Sequence, residues 1–205
     1  MRKFFLLIGI ILLSNQLNAQ SNWKSFWKQP TPIKKWIVFH SFKAKKALSI
    51  SNKAKYVTDS IALTGLLDGD KAGGQVDAFR HAYWMARLHE NIGKRAALSL
   101  GRSYERSNYK SYKRNKLEEG ILPDKASKSM DLFNNKVGIT FTRKGFHHPE
   151  NGLIYKIVNS IKKGDLKIIK KDKAGNYLTC NNEVIPFKDL LYKWRNNKCI
   201  IPSNY

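Results

Sequence analysis

The segment Gln75–Leu88, reading Gln-Val-Asp-Ala-Phe-Arg-His-Ala-Tyr-Trp-Met-Ala-Arg-Leu, limits the possible folds more than any other part of the chain. Its apolar residues recur at helical spacing, and Asp77, Arg80, His81, Trp84 and Leu88 fall at i, i+3, i+4, i+7 and i+11 on one face. Ala78, Ala82 and Ala86 form an adjacent stripe of small side chains along which another helix can approach. The polar face therefore lies close to the interior. Two more such faces follow: Asp131, Asn134, Asn135 and Gly138 repeat the spacing, and Arg102 and Glu105 stand at i and i+3. An unpaired buried charge loses several kcal/mol of solvation, so these faces predict a shared network. Arg80 can neutralise Asp77, Asp131 or Glu105 through a forked contact, and Asn134 and Asn135 can hold carboxylates or backbone. His81 adds the one group there with an ordinary pKa near neutrality.

Around this helix the pattern predicts a mainly α fold, a multi-helix domain with a small β-rich C-terminal element. Helices are expected from Ile33 to about Lys46, Asn52 to Leu67, Val76 to Asn91 and Lys94 to Asn108. Residues 109–122 read as a surface loop or frayed extension. Another helix starts near Asp124 or Ser127 and stops at Gly138, and Pro149 leads a last one to about Lys163. After Gly164, Leu166–Lys170 and Tyr177–Cys180 read as a hairpin, with further strands at Glu183–Phe187 and Cys199–Ile201. Four regions result: a signal peptide at 1–19, a basic aromatic segment at 20–53, a helical motif-bearing domain at 54–165 and the β-hairpin element at 166–205.

The signal peptide rests on Arg2-Lys3, the apolar run Phe4–Leu13 and the small residue Ala19. Ten apolar residues are too few to span a bilayer, which needs about 20, and no later segment reaches that length. An exported chain cleaved near Ala19 is expected, periplasmic or secreted, with no transmembrane span. In an oxidising compartment Cys180 and Cys199 can pair; a disulfide closing that loop would add roughly 3 kcal/mol in the chain-entropy model. Two free thiols are the other reading, and with no histidine among them the pair is a poor zinc site.

The formal charge of +23 becomes +21 once residues 1–19 are removed, and it is uneven. Nine of the fifteen acidic residues lie between 66 and 140, so two basic flanks surround a mixed centre. Such flanks suit an anionic envelope component or an extracellular polyanion. No helix-turn-helix, zinc finger or other sequence-specific nucleic-acid motif accompanies the charge. Oligomeric state is left open, and so is any cofactor: there is no Walker loop, G-x-S-x-G or H-E-x-x-H.

The strings Asp77-Ala-Phe-Arg-His-Ala-Tyr-Trp84 and Met130-Asp-Leu-Phe-Asn-Asn-Lys-Val-Gly138, with Glu105 between them, resemble an uncharacterised family of bacterial domains that are often exported or fused to larger secreted proteins. The resemblance covers about residues 54–165. It implies membership but no reaction. Many members have His before the Glu, where this chain has Tyr104, and a phenol is a much poorer zinc ligand than an imidazole.

Two functions are compatible with these residues. In one, the Arg/His/Asp/Asn faces form a structural core, with Asp77, Trp84, Asn134 and Asn135 in binding roles, and the basic surface holds envelope or extracellular polyanions. In the other, the chain is a secreted hydrolase acting on an anionic phosphate-containing or envelope substrate. His81 is then the general acid/base, Asp77, Glu105 or Asp131 orients it or binds a cation, and Arg80 holds a phosphate or oxyanion. Gly73-Gly74, ahead of a helix, could bind an anion. His147-His148 is a separate metal candidate against a plain loop before Pro149, and His89 with Glu90 reads as a solvated helix end.

Overall fold

In the computed structural model, which describes residues 28–117 and 121–205, the chain forms α1 (Thr31–Phe39), α2 (Ser41–Ala62), α3 (Gln75–Ile92), α4 (Lys94–Tyr112), α5 (Lys125–Thr140), α6 (Glu150–Lys163), β1 (Lys167–Ile169), α7 (Phe187–Leu190) and β2 (Ile200–Pro202). The expected signal peptide and the aromatic residues Trp23, Phe26 and Trp27 lie outside the described residues. The mainly helical class with a small C-terminal sheet is as the sequence predicts. No helix among the described residues is long and apolar enough to cross a membrane.

Helix α3 is the axis of the molecule. It packs against α2, α4, α5, α6 and β1, and twelve of its eighteen residues are buried, so both apolar clusters of the core draw on it. One cluster joins Phe79, Ala82 and Tyr83 to Val57, Leu153 and Ile157; the other joins Met85 and Leu88 to Trp36, Ala97 and Leu100. The alanine stripe works as expected. A Cβ on Gly138 would stand 2.4 Å from the Ala82 carbonyl oxygen, so glycine is what lets α5 lie against α3. Gly138 therefore does not end α5, which continues to Thr140. At its other end Asp124 caps the helix, accepting from the Ser127 N–H at 2.8 Å while Ser127 Oγ accepts from the Asp124 N–H at 3.2 Å.

Several boundaries differ from the sequence reading. The first break falls at His40, and α2 runs unbroken through Ser49, Ser51 and Asn52. Ala47, Ile50, Ala54, Val57 and Ile61 keep a buried stripe along it, and that packing outweighs the weak local preference of Ser and Asn for turns. Helix α4 extends to Tyr112, whose hydroxyl donates to the Tyr192 carbonyl at 2.7 Å. Pro149 caps α6 rather than opening it, and Gly164 ends that helix in the left-handed region, φ 87°.

The C-terminal pairing also departs from expectation. β1 pairs antiparallel with β2, Ile168 opposite Ile201, and not with Tyr177–Cys180. The segment between them turns back only through isolated bridges, Lys171 with Tyr177 and Leu178 with Val184, and Phe187–Leu190 is a helical turn. The apolar face of Ile168 and Ile169 is covered by the helical core, so the strand that reaches it from the chain end wins the pairing. Cys180 and Cys199 are joined in a disulfide with Cα atoms 4.9 Å apart. Asn134 docks the sheet on α5 by exchanging two 2.9 Å bonds with the Lys167 backbone.

Candidate functional site

Asp77 and His81 lie one turn apart on α3, and Asp131 faces them from α5 across the contact that Gly138 permits. All three are buried, and one ligand-type atom from each lies within 4.8 Å of the others. His81 Nε2 stands 3.2 Å from Asp131 Oδ1 and 3.5 Å from Asp77 Oδ1. The Arg80 guanidinium donates to Asp77 Oδ1 at 2.7 Å, and the Gly73 N–H donates to Asp77 Oδ2 at 2.8 Å. The other imidazole nitrogen, Nδ1, is 3.1 Å from the Asn135 side-chain oxygen.

The direction of that last bond decides the chemistry. An amide oxygen only accepts, so with Asn135 Oδ1 facing the ring, Nδ1 carries the hydrogen and Nε2 of a neutral ring carries a lone pair. Burial, reinforced by Arg80, lowers the His81 pKa to about 3 against the opposing Asn135 bond, so the ring is neutral at physiological pH. Nε2 then presents a lone pair to two carboxylate oxygens. Burial also raises Asp77, against the pull of Arg80 and the Gly73 N–H. Arg80 supplies one positive charge to these three groups, with Nη2 2.7 Å from Asp77 Oδ1 and 3.4 Å from His81 Nε2, and they lie close enough together to share a proton or a metal ion as well. One nitrogen and two carboxylates form a ligand set suited to a first-row divalent cation. Asn135 then acts behind the ligand, fixing the tautomer, and Gly101 leaves the room its amide fills, since a Cβ there would sit 3.0 Å from Asn135 Nδ2.

Two openings reach the centre. Asp77, Arg80 and Asp131 line a cavity of about 50 Å³ together with Lys71, Tyr177 and Lys198. Burial, together with Asp70, Asp124 and Asp77, pushes the Tyr177 phenol up, so it stays protonated. Lys198 lies 3.6 Å from the centre of that ring and pairs with Asp124 at 2.7 Å; burial works against the Asp124 charge, yet Lys198 and the Ser127 N–H hold its pKa below the usual value. On the other side, Arg80, His81 and Trp84 form the floor of a groove of about 740 Å³ between α1, α2 and α4.

The sequence-expected residues divide clearly. Asp77, Arg80, His81, Asp131 and Asn135 come together. Asn134 serves the β1 backbone instead. Trp84 lines the groove, donating to Ser51 Oγ at 2.8 Å, and Tyr104 meets it edge-on at 5.8 Å. Glu105 is buried on α4 and lines neither opening, while Arg102 is exposed, so the two do not share one buried face. The helix N-terminus after Gly73-Gly74 is not open to an anion: Asp68 accepts from the Gln75 N–H at 2.7 Å, and the Gly73 N–H is used by Asp77. Glu90 is not solvated. It is buried and accepts from Arg87 at 2.9 Å and from both the backbone N–H and the ring of His148, at 3.0 and 2.9 Å. His89 is half-buried against the Ile139 carbonyl, and the exposed His147 shares no metal cluster with His148. Lys71, Tyr177 and Lys198 were missed by the sequence reading because nothing local marks three distant residues that meet at one cavity.

The helical body, its appended sheet and the buried Asp/His/Asp centre define a mainly α domain built around a polar axis helix. The chain belongs to the family described as a domain of unknown function, DUF6973, which matches residues 34–165 and so takes in most of α1 and all of α2 as well as the two motif helices. Neither a curated protein nor a solved structure matches the chain.

Proposed function

We propose that the chain is an exported, metal-assisted hydrolase of phosphate esters. Asp77 and Asp131 hold one divalent cation through a carboxylate oxygen each, and His81 holds it through Nε2. The observation that carries this reading is the convergence of those three buried acceptors within 4.8 Å while His81 Nδ1 is committed to Asn135. A bound ion of this kind polarises a phosphoryl oxygen and lowers the pKa of a coordinated water. The chain's own residues supply the rest. Arg80 is salt-bridged to Asp77 yet lines the cavity, where it can meet a phosphoryl oxygen. Lys71 and Lys198 add positive charge to the same cavity, and the basic flanks draw in anionic substrate.

This reading moves His81 from general acid/base to ligand. A catalytic base needs its lone pair aimed at substrate, whereas His81 Nε2 points at Asp131 and Asp77. Glu105 drops out of the reacting groups.

The test is elemental analysis of residues 20–205 purified in zinc- or manganese-supplemented buffer, with hydrolysis of bis(p-nitrophenyl) phosphate followed in parallel. One ion per chain is expected in the wild type and none in Asp131→Asn or His81→Ala, with the helical circular dichroism kept and ion-dependent turnover lost. A wild-type chain that takes up no divalent ion would overturn the proposal. The Asp77/His81/Asp131 network would then be a packing device in a polyanion-binding protein.

A further inference from the structure

The groove that ends on Arg80 and His81 differs from the small cavity behind it. Its walls carry Ile33, Trp36, Ile37, Ala47 and Leu100, and its volume of about 740 Å³ is within the range of sites that enclose an extended organic ligand. A mainly apolar lining that also carries Lys45, Lys55, Arg80 and His81 fits an amphiphile, a molecule with a hydrocarbon part and a negatively charged head. The surface beside the groove has the same division. At the α1–α2 corner Val38, Phe39 and Phe42 are exposed, Phe39 at 81% and Phe42 at 103%, directly beside the groove residues Ile37 and Ser41. Leu48, also exposed, lines the groove itself. Lys35, Lys43, Lys45 and Lys46 surround these residues, exposed to solvent, and there is no acidic residue from 28 to 58.

Two phenylalanines three positions apart and this exposed are costly to leave in water, since burial of a Phe side chain is favourable. Exposed lysines in a stretch of chain with no acid select a negatively charged partner such as an anionic lipid surface. Apolar side chains flanked by lysines are the pattern of a helix that rests in the interface of a bilayer. We infer that the α1–α2 corner docks on anionic phospholipid and that the groove receives an acyl chain, bringing the phosphate head to the Arg80 end. The substrate class is then a phospholipid. This inference rests on the phosphate-ester reading for its chemistry, but the docking can be measured without it.

The experiment is co-sedimentation of residues 20–205 with vesicles of phosphatidylglycerol and phosphatidylcholine, and with phosphatidylcholine alone, alongside hydrolysis of vesicle lipid and of bis(p-nitrophenyl) phosphate. Wild type should bind the anionic vesicles at least tenfold more tightly than the neutral ones. Phe39→Ser/Phe42→Ser should weaken that binding tenfold or more and slow lipid hydrolysis equally, with turnover of the soluble ester unchanged. Vesicle binding that the double variant retains, and that salt alone removes, would overturn the proposal by showing charge without insertion. A concentration-dependent dimer that the double variant disperses, with no vesicle binding, would also overturn it and assign the face to a second copy. Binding without hydrolysis of either substrate would leave the docking standing and sink the phosphate-ester reading; soluble-ester turnover without vesicle binding would do the reverse.

Discussion

Asp77 and Glu90 stand near opposite ends of α3. Each is buried, each pairs with an arginine three residues away and each is within reach of a histidine. Around Glu90 every neighbour is a donor. Arg87 supplies Nη1, His148 supplies its backbone N–H and its ring, and Arg87 Nη1 also donates to the His148 carbonyl at 2.9 Å. The Gly145 N–H adds a bond to the Glu90 backbone oxygen at 2.9 Å, so the 143–148 turn is clamped onto the end of α3. Around Asp77 donors and acceptors are mixed. Arg80 and Gly73 face it, but His81 Nε2 and Asp131 Oδ1 are further acceptors, and a cavity opens beside them. The same residue types thus make a closed clamp at one end and, at the other, a cluster of carboxylates and imidazole that opens on a cavity. What distinguishes them is the balance of donors and acceptors, together with access.

The largest test of this contrast is Glu90→Ala. Removing one member of a satisfied buried pair costs about 3–5 kcal/mol, so urea unfolding should show a loss of that size while ion uptake stays at one per chain. Loss of the ion as well would mean that the two ends are not independent. Next comes the disulfide, which holds the segment carrying Tyr177 and Lys198 against the cavity. Cys180→Ser/Cys199→Ser should lower stability by roughly 3 kcal/mol. Inhibition by inorganic phosphate should weaken with it, which a Glu90 variant would not reproduce.

The third test is pH. In metal-free protein the folded pKa of His81, about 3, lies below its ordinary 6.5, so the folded state binds fewer protons than the unfolded state between those values. The stability His81 contributes is complete above pH 6.5 and is lost as pH falls toward 3, by at most about 1.4 kcal/mol per pH unit. Asp77, raised above 3.8, works the other way: its contribution is present below that value and fades as pH climbs through its folded pKa. Denaturant unfolding between pH 4 and 8 should show a falling acid limb that His81→Gln flattens, and an equally steep limb in that variant would place the proton elsewhere.

The smallest expected change in stability is that of Asp131→Asn, within about 1 kcal/mol of the metal-free parent, because it removes charge from a crowded set of acceptors. Thermal unfolding with and without added zinc gives the sharper readout. A ligand at 100 times its Kd stabilises by about 2.7 kcal/mol. That gain should be present in wild type and Glu90→Ala and absent in Asp131→Asn.

The helical body and the partners on α3 were legible because helical spacing is local. Asp77, Arg80 and His81 had to share a face, the alanine stripe had to meet a helix, and Gly138 stood in the segment that supplied it. The misreadings share one physical origin. Glu90 was taken as solvated because a helix end is usually wet, but a turn starting fifty residues later folds over it. Tyr177–Cys180 was paired with β1 because it is near in sequence, but the buried face of β1 takes the strand that arrives from the chain end. Arg102 and Glu105 were placed together by spacing, yet the packing of α4 buries one and exposes the other.

By itself the sequence determined the mainly helical class, the family membership and the identity of most residues at the centre. Helical period, turn residues and charge are properties of short stretches, so a chain carries them wherever it folds. Tertiary structure alone decided which way His81 faces, which carboxylates its free nitrogen meets, and that Lys71, Tyr177 and Lys198 close the cavity. It also set the aromatic corner beside the groove. Each of these depends on contacts between residues far apart in the chain, and only the packing of α2, α4 and α5 around α3 brings them together.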